Sequence, residues 1–334
     1  MQGNRMKELV RIENLHVSFN VGTTPLLAVR GLDLSVSTGV VHGLVGESGS
    51  GKTVTSKCIM GLLDTPPGEI TKGSILFKGK EMIGLPPREL RKVRGREIGM
   101  IFQEPARYLN PSYKIGEQIR EMLSLHFGDS RSEATEKAYD FLSLVGLGGD
   151  KRILNSFPHE LSGGMKQRAM IAMAIACHPS LLIADEPTTA LDVTLQLQIL
   201  KLLLSLKEKL SMTVLFISHD LGVIQEIADV VSIIYAGKIV EEAPKEILFS
   251  RPLHPYTHLL LLSKPEPGKR GTKLHTIPGR VPDAEHIPGG CAFHPRCPLA
   301  EDICANEVPE LKKQGENHLS ACHFSGIKTV GAQQ

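Results

Sequence analysis

The 334-residue sequence has no apolar run near the roughly 18 residues needed to span a bilayer. Its N-terminus, Met1-Gln-Gly-Asn-Arg-Met-Lys-Glu8, offers no apolar stretch that would serve as an export signal. A basic excess is also missing. The formal net charge is +2, where a nucleic-acid binder normally shows a marked surplus of lysine and arginine. Internal repeats, low-complexity tracts and heptad runs are absent as well. These absences exclude a membrane span and argue against a nucleic-acid partner. We expect a soluble, cytosolic protein, so that any role in transport needs another polypeptide to supply the membrane path. Six cysteines in a chain without an export signal meet reducing conditions, so burial or metal binding is expected of them rather than disulfides.

What is present is an ordinary folded composition, 41% apolar and 22% charged, in a chain long enough for about two domains. Residues 8–19 alternate apolar and polar as a half-buried strand does, and 26–36 repeat the pattern after a Gly-Thr-Thr-Pro turn. The run Val40–Gly46 is short, continuously apolar and ended by glycine, which suits a strand buried on both faces. Residues 52–63 then read as a helix. A polar, helix-rich stretch runs from about Leu109 to Cys177. Two further buried-strand candidates, 180–185 and 212–218, flank the amphipathic helix 195–210. Buried strands alternating with helices predict an α/β fold with a parallel sheet. After about Pro244 the composition shifts: over half of the 21 prolines and four of the six cysteines lie there, in a loop-rich appendage.

Gly46-Glu47-Ser48-Gly49-Ser50-Gly51-Lys52-Thr53 fits the phosphate-binding pattern G-x-x-x-x-G-K-[ST], and it lies where that pattern works, between a strand and a helix. Glycines there let the backbone wrap closely, so that several N–H groups and the helix N-terminus face phosphate oxygens. Lys52 would neutralise the β- and γ-phosphates and the Thr53 hydroxyl would bind Mg²⁺. Leu181-Leu-Ile-Ala-Asp185-Glu186 brings two carboxylates to the C-terminal end of a buried strand, where ligands bind in such sheets. Asp185 would hold Mg²⁺ through water, and Glu186 would orient and deprotonate the attacking water.

Leu161-Ser162-Gly163-Gly164-Met-Lys-Gln-Arg168 resembles the signature of the ABC ATPases, placed between the phosphate loop and the Asp-Glu strand as in that family. Chemically, Ser162 caps a helix while Gly163 and Gly164 leave its N–H groups open to an anion. The resemblance implies a RecA-like P-loop core, an antiparallel β subdomain and a helical subdomain over about 104–177, with the nucleotide-binding domain spanning 1–245. It also implies that the Ser162 end contacts the γ-phosphate on an opposite subunit. Gln103 would sense Mg²⁺ and the attacking water, and would touch the membrane partner. Ala190-Leu191-Asp192 resembles a loop crossing the dimer interface, and His219 a histidine on the γ-phosphate. Phe19 is the candidate for stacking on adenine.

Ile98–Pro111, Arg251–Leu260 and Ile277–Pro298 resemble the dipeptide/oligopeptide (and nickel) importer branch of that family. Two ATPase subunits beneath two membrane subunits, fed by an extracytoplasmic peptide-binding protein, are what this implies. The expected place of work is the cytoplasmic membrane face, and 246–334 is the branch's C-terminal extension. Cys291, Cys297, Cys304 and Cys322, spaced C-x5-C-x6-C-x17-C, are enough for Zn²⁺ or an iron–sulfur cluster, and the spacing does not choose between them. The resemblance implies [4Fe–4S]. His294, His318 and His323 lie nearby as alternative ligands, while Cys58 and Cys177 read as core residues. A soluble ABC ATPase of translation or DNA repair would carry two cassettes or a long coiled coil. An iron–sulfur electron carrier would turn over without ATP. The single cassette without a heptad run does not match the first alternative, and co-purification with membrane subunits separates a transporter from both.

Overall fold

The computed structural model describes residues 7–21, 25–148, 152–189, 191–263 and 276–326. In chain order its strands are β1 (Glu8–Phe19), β2 (Leu26–Ser37), β3 (Val41–Val45), β4 (Gly68–Phe77), β5 (Lys80–Glu81) and β6 (Ile98–Ile101). They continue with β7 (Leu181–Asp185), β8 (Thr213–Ser218), β9 (Val230–Tyr235), β10 (Lys238–Pro244), β11 (Lys312–Gly315) and β12 (His318–Ser320). The chain condenses into two compact units, one formed by Met1–Ile83 with Ile217–Gln334, the other by Gly84–Phe216.

In the first unit the alternation of residues 8–19 is realised as β1, which buries Val10, Ile12, Leu15 and Val17 and pairs antiparallel with β2 and β4. Asn14 takes a left-handed φ of 46° where the register slips, as a bulge requires. β4 lies outside the sequence expectations. Its stretch Glu-Ile-Thr-Lys-Gly-Ser is polar and broken by Gly73 at φ 107°, so no apolar period marks it. All five residues of β3 are buried, and β3 runs parallel to β9. A two-residue turn, Ala236-Gly237 at φ 43° and 79°, folds β9 back onto β10 as a tight hairpin. The C-terminal stretch joins this unit through β12, which pairs with β10 and with β11. Glu241 of β10 is wholly buried. It accepts the backbone N–H groups of Leu253 (2.7 Å) and His254 (2.9 Å) and pairs with His318 Nε2 at 2.7 Å. A buried carboxylate needs such partners, and they tie the appendage to the sheet.

Also in this unit, buried His42 bonds the Ser232 hydroxyl at 2.8 Å, and that hydroxyl donates to Glu242 at 2.6 Å. Burial pushes the imidazole pKa down to about 4 from its ordinary 6.5. The neutral ring therefore stabilises the fold above pH 6.5, and that contribution is lost as pH falls towards 4, on the order of 3 kcal/mol in all. Burial raises the Glu242 carboxyl, which acts in the opposite sense on acidification. The comparison is therefore made against a variant. Between pH 6.5 and 4, wild type is expected to lose more stability than His42→Gln, read from urea unfolding midpoints. Equal losses would assign the acid sensitivity to other groups.

In the second unit the order is β8-β7-β6, with β6 parallel to β7. The stretch read as helix-rich holds helices Ile115–Phe127, Arg131–Leu144 and Gly163–Ile175. Arg131–Leu144 starts on a reciprocal Ser130/Glu133 cap. Among the described residues no helix is long and apolar enough to cross a membrane.

Candidate nucleotide-binding site

The loop Gly46–Thr53 leaves β3 and opens the helix Lys52–Ile59. Two glycines are needed by their surroundings. A Cβ on Gly46 would stand 2.3 Å from the Ile234 carbonyl oxygen, and Gly51, at φ 102°, would place one 2.7 Å from the Ala28 carbonyl oxygen. The helix start has neither a side-chain cap nor an acidic residue in its first turn, so its N–H end presents unneutralised positive charge. Lys52 folds its ammonium back onto the carbonyls of Gly46 (2.8 Å) and Glu47 (2.9 Å). The Ser50 hydroxyl is buried with no hydrogen-bond partner among the described residues. A cationic head resting on carbonyls, an orphaned buried hydroxyl and an uncapped helix end fit a phosphate chain. Gly237 N–H of the β9–β10 turn holds the loop from below through the Ser50 carbonyl at 2.9 Å.

Within this loop Glu47 differs from the simple cradle. Its N–H goes to the Tyr256 hydroxyl at 3.1 Å, and its carboxylate takes two bonds from Arg296 at 2.8 and 3.1 Å. Tyr256 and Arg296 lie inside the importer-like segments of the sequence, yet neither carried an assigned role. Phe19 is half-buried at the end of β1, opposite Leu26 and Gly68. His219 is exposed directly after β8.

In the second unit Asp185 is buried at the end of β7 and Glu186 follows it with a left-handed φ of 48°. Gln103 Nε2 and the Thr189 hydroxyl both donate to Glu186 Oε2, each at 3.0 Å. The structure thus brings together Gln103 and Glu186, 83 positions apart in the chain, and adds Thr189, which the sequence reading left out. Ser162 caps the helix Gly163–Ile175, its hydroxyl accepting the Met165 N–H at 3.3 Å, and exposed Gly163 has open space around it. Asp192 caps Val193–Leu210 through the Leu195 N–H at 2.9 Å; Ala190 lies outside the described residues.

Cys291, Cys297, Cys304 and Cys322 all line one narrow cavity, walled by apolar groups that include Phe293 and Leu299. The sulfurs of Cys297 and Cys322 each accept a backbone N–H, from Leu299 and Phe324, at 3.4 Å. Burial pushes both of these thiols up to about 11, so without a metal they stay protonated. His318 is taken up by Glu241, and His323 meets the Glu307 carbonyl. Among the described residues no three or more His, Cys, Asp or Glu gather around a single metal-ion position. Cys58 and Cys177 are buried, 2% and 4% exposed, as core residues are.

Residues 29–189 match the family model described as ABC transporter, and residues 240–304 the one described as Oligopeptide/dipeptide transporter, C-terminal region. The chain is 47% identical over 329 residues to the oligopeptide transport ATP-binding protein AppD of Bacillus subtilis, covering 98% of this chain and 100% of that one. It is 44% identical over 316 residues to the dipeptide transport ATP-binding protein DppD of Escherichia coli, covering 95% and 96%. Among solved structures it resembles a dimeric ATP-binding cassette in a post-hydrolysis state bound to ADP and Pi. There the TM-score is 0.63 and the identity 29%, over 71% of this chain and 98% of that one. The RecA-like P-loop core with its antiparallel β and helical subdomains is therefore the fold expected from the motifs.

Proposed function

The chain belongs to the ABC-transporter ATP-binding subunits of the peptide/oligopeptide importer family, and on that premise we propose how its residues share the work of import. It is an ATP-binding and ATP-hydrolysing subunit of such a system. In our reading it acts at the cytoplasmic face of the membrane. Its partners there are a second ATPase subunit and two membrane subunits, supplied by an extracytoplasmic peptide-binding protein. Phe19 stacks on adenine. The Gly46–Thr53 backbone and Lys52 hold the phosphates, while Thr53 and Asp185 hold Mg²⁺ with Gln103 beside it. Glu186, oriented by Gln103 and Thr189, activates water, and His219 contacts the γ-phosphate. Ser162, Gly163 and Gly164 close over the γ-phosphate of the opposite subunit, next to the Asp192 loop. ATP binding closes the subunit pair and hydrolysis reopens it, so an isolated monomer should turn over slowly.

One observation carries this reading furthest. The phosphate cradle and the importer-type C-terminal region occur in one chain, with the buried Ser50 hydroxyl and the Lys52 ammonium on the same loop. The test is co-purification with the membrane subunits and ATP-dependent peptide uptake into proteoliposomes. Uptake of nickel without peptide would change the substrate, and recovery with soluble partners only would overturn the transport role.

We further propose that Cys291, Cys297, Cys304 and Cys322 hold a [4Fe–4S] cluster. The support is four thiols on one cavity, with N–H donors to two sulfurs, in a segment with little apolar core of its own. When bound, the cluster would supply covalent ties between loops that otherwise have few. Protein purified without oxygen is expected to be brown, with about four iron and four acid-labile sulfide per chain. Zinc without sulfide would make the site a zinc module, and absence of both would leave four free thiols.

A further inference from the structure

Glu47 is held at three points at once. Arg296 grips its carboxylate, Tyr256 accepts its N–H, and Lys52 takes its carbonyl. The first two come from the C-terminal appendage, more than 200 residues further along the chain, and both are buried in their own right. Tyr256 is fully buried and Arg296 is 7% exposed. Arg296 is fixed from every side. Its Nε donates to the Pro278 carbonyl at 2.8 Å, and Nη1 also reaches the Tyr235 hydroxyl at 3.3 Å. The guanidinium lies 5.8 Å from the Tyr235 ring centre and 5.9 Å from that of Phe293. Those rings pack edge-on to each other at 5.2 Å, and Tyr256 packs against both. A planar, bidentate guanidinium in such a cage sets where the carboxylate sits, which a flexible ammonium would not do.

Arg296 also occupies a telling place in the chain. It ends the short turn His294–Arg296, between Cys291 and Cys297 and directly before the latter. The turn is closed by backbone bonds from His294 to Cys291, from Arg296 to Phe293 and from Cys297 to His294. The two thiols that bound this loop line the four-cysteine cavity, and Phe293, which flanks the guanidinium, lines it too. A change in what the sulfurs bind would act on both ends of the loop that carries Arg296.

We infer that Arg296 is a positioning residue for nucleotide binding, holding the phosphate loop through Glu47 and transmitting to it the state of the Cys291–Cys297 loop. The appendage thereby acts as a regulator of ATP affinity. This rests on Gly46–Thr53 being the nucleotide site. Wild type failing to bind ATP would sink that reading, whereas the comparisons below address only the role of Arg296.

The test uses the full chain and a fluorescent ATP analogue, with thermal melting recorded alongside. Arg296→Met keeps bulk but strands a half-buried carboxylate, and is expected to weaken ATP binding about ten-fold. In the assembled transporter it should raise the KM for ATP while leaving kcat at saturation largely intact. Arg296→Lys should recover only part of the loss, because one ammonium cannot replace the paired bonds. Adding Glu47→Gln to Arg296→Met should cost less than the sum of the two single changes, as coupled partners do. For the transmission step, Cys297→Ser is expected to shift ATP affinity in the wild-type background and to have little effect once Arg296 is methionine. Unchanged ATP affinity in Arg296→Met would overturn the positioning role. Equal effects of Cys297→Ser in both backgrounds would overturn the transmission. Should Arg296→Met not fold, Tyr256→Phe decides instead. It removes the acceptor of the Glu47 N–H without removing the ring, and wild-type affinity there would count against the proposal.

Discussion

Glu186→Gln is expected to bind ATP as wild type does and to lose turnover by a factor of about 10²–10⁴, the usual contribution of a placed general base. The geometry makes glutamine the informative choice. Two donors, Gln103 Nε2 and the Thr189 hydroxyl, converge on Glu186 Oε2, and an amide oxygen at that place can accept both. The local arrangement therefore survives while the basic carboxylate is lost. Alanine would strand both donors and mix a structural change into the kinetic one. The backbone at this position is also unusual. Glu186 sits at φ 48°, a conformation costing a non-glycine residue about 1–3 kcal/mol, so the fold holds this carboxylate in place against local strain. Steady-state hydrolysis in the assembled transporter, with nucleotide binding measured separately, gives the answer. Near-normal turnover would remove Glu186 from the base role and leave it as a support for Gln103.

Much of the first half of this constellation was legible from local pattern. β3 and β7 are each five residues buried on both faces, so their sequences are mostly apolar, His42 of β3 apart, up to the ligand end. The phosphate loop follows one and the Asp185-Glu186 pair ends the other, because a strand end is where backbone direction changes and the sequence turns from apolar to polar. β4 was not legible, since its middle residues face solvent and carry no period. The hold on Glu47 was hidden for a different reason. Arg296 is 249 positions away, and nothing in either segment's composition records that a carboxylate in one meets a guanidinium in the other. Motif resemblance identified Gln103, but Thr189, only three residues beyond Glu186, was missed because a threonine after a Glu-Pro turn has many uses. The cysteines fall between these cases. Their clustering was visible in the spacing, but only the fold brings all four to one cavity.

Gly163→Asp separates stability from catalysis more sharply than any change in the phosphate loop. A Cβ at Gly163 meets nothing within 4 Å, so the substitution fits. It places a carboxylate in the first turn of Gly163–Ile175, a helix with no acidic residue there, which should stabilise that helix by about 0.3–1 kcal/mol. The melting temperature should hold or rise slightly. ATP binding to the variant's own Lys52 loop should also persist, because in the proposed closed pair the two features would belong to different sites. Turnover should nevertheless fall by about 10² or more, since a fixed negative charge would face the γ-phosphate of the opposite subunit where helix N–H groups are needed. Glycine at 163 is then explained by the ligand and not by the fold, which leaves room for a side chain. In a mixed pair, one variant subunit should disable only the site that its helix completes, so about half the activity should remain if the two sites fire independently. Wild-type turnover in a fully substituted pair would detach this helix end from the opposite nucleotide, and the Ser162 cap would then be a helix start and nothing more.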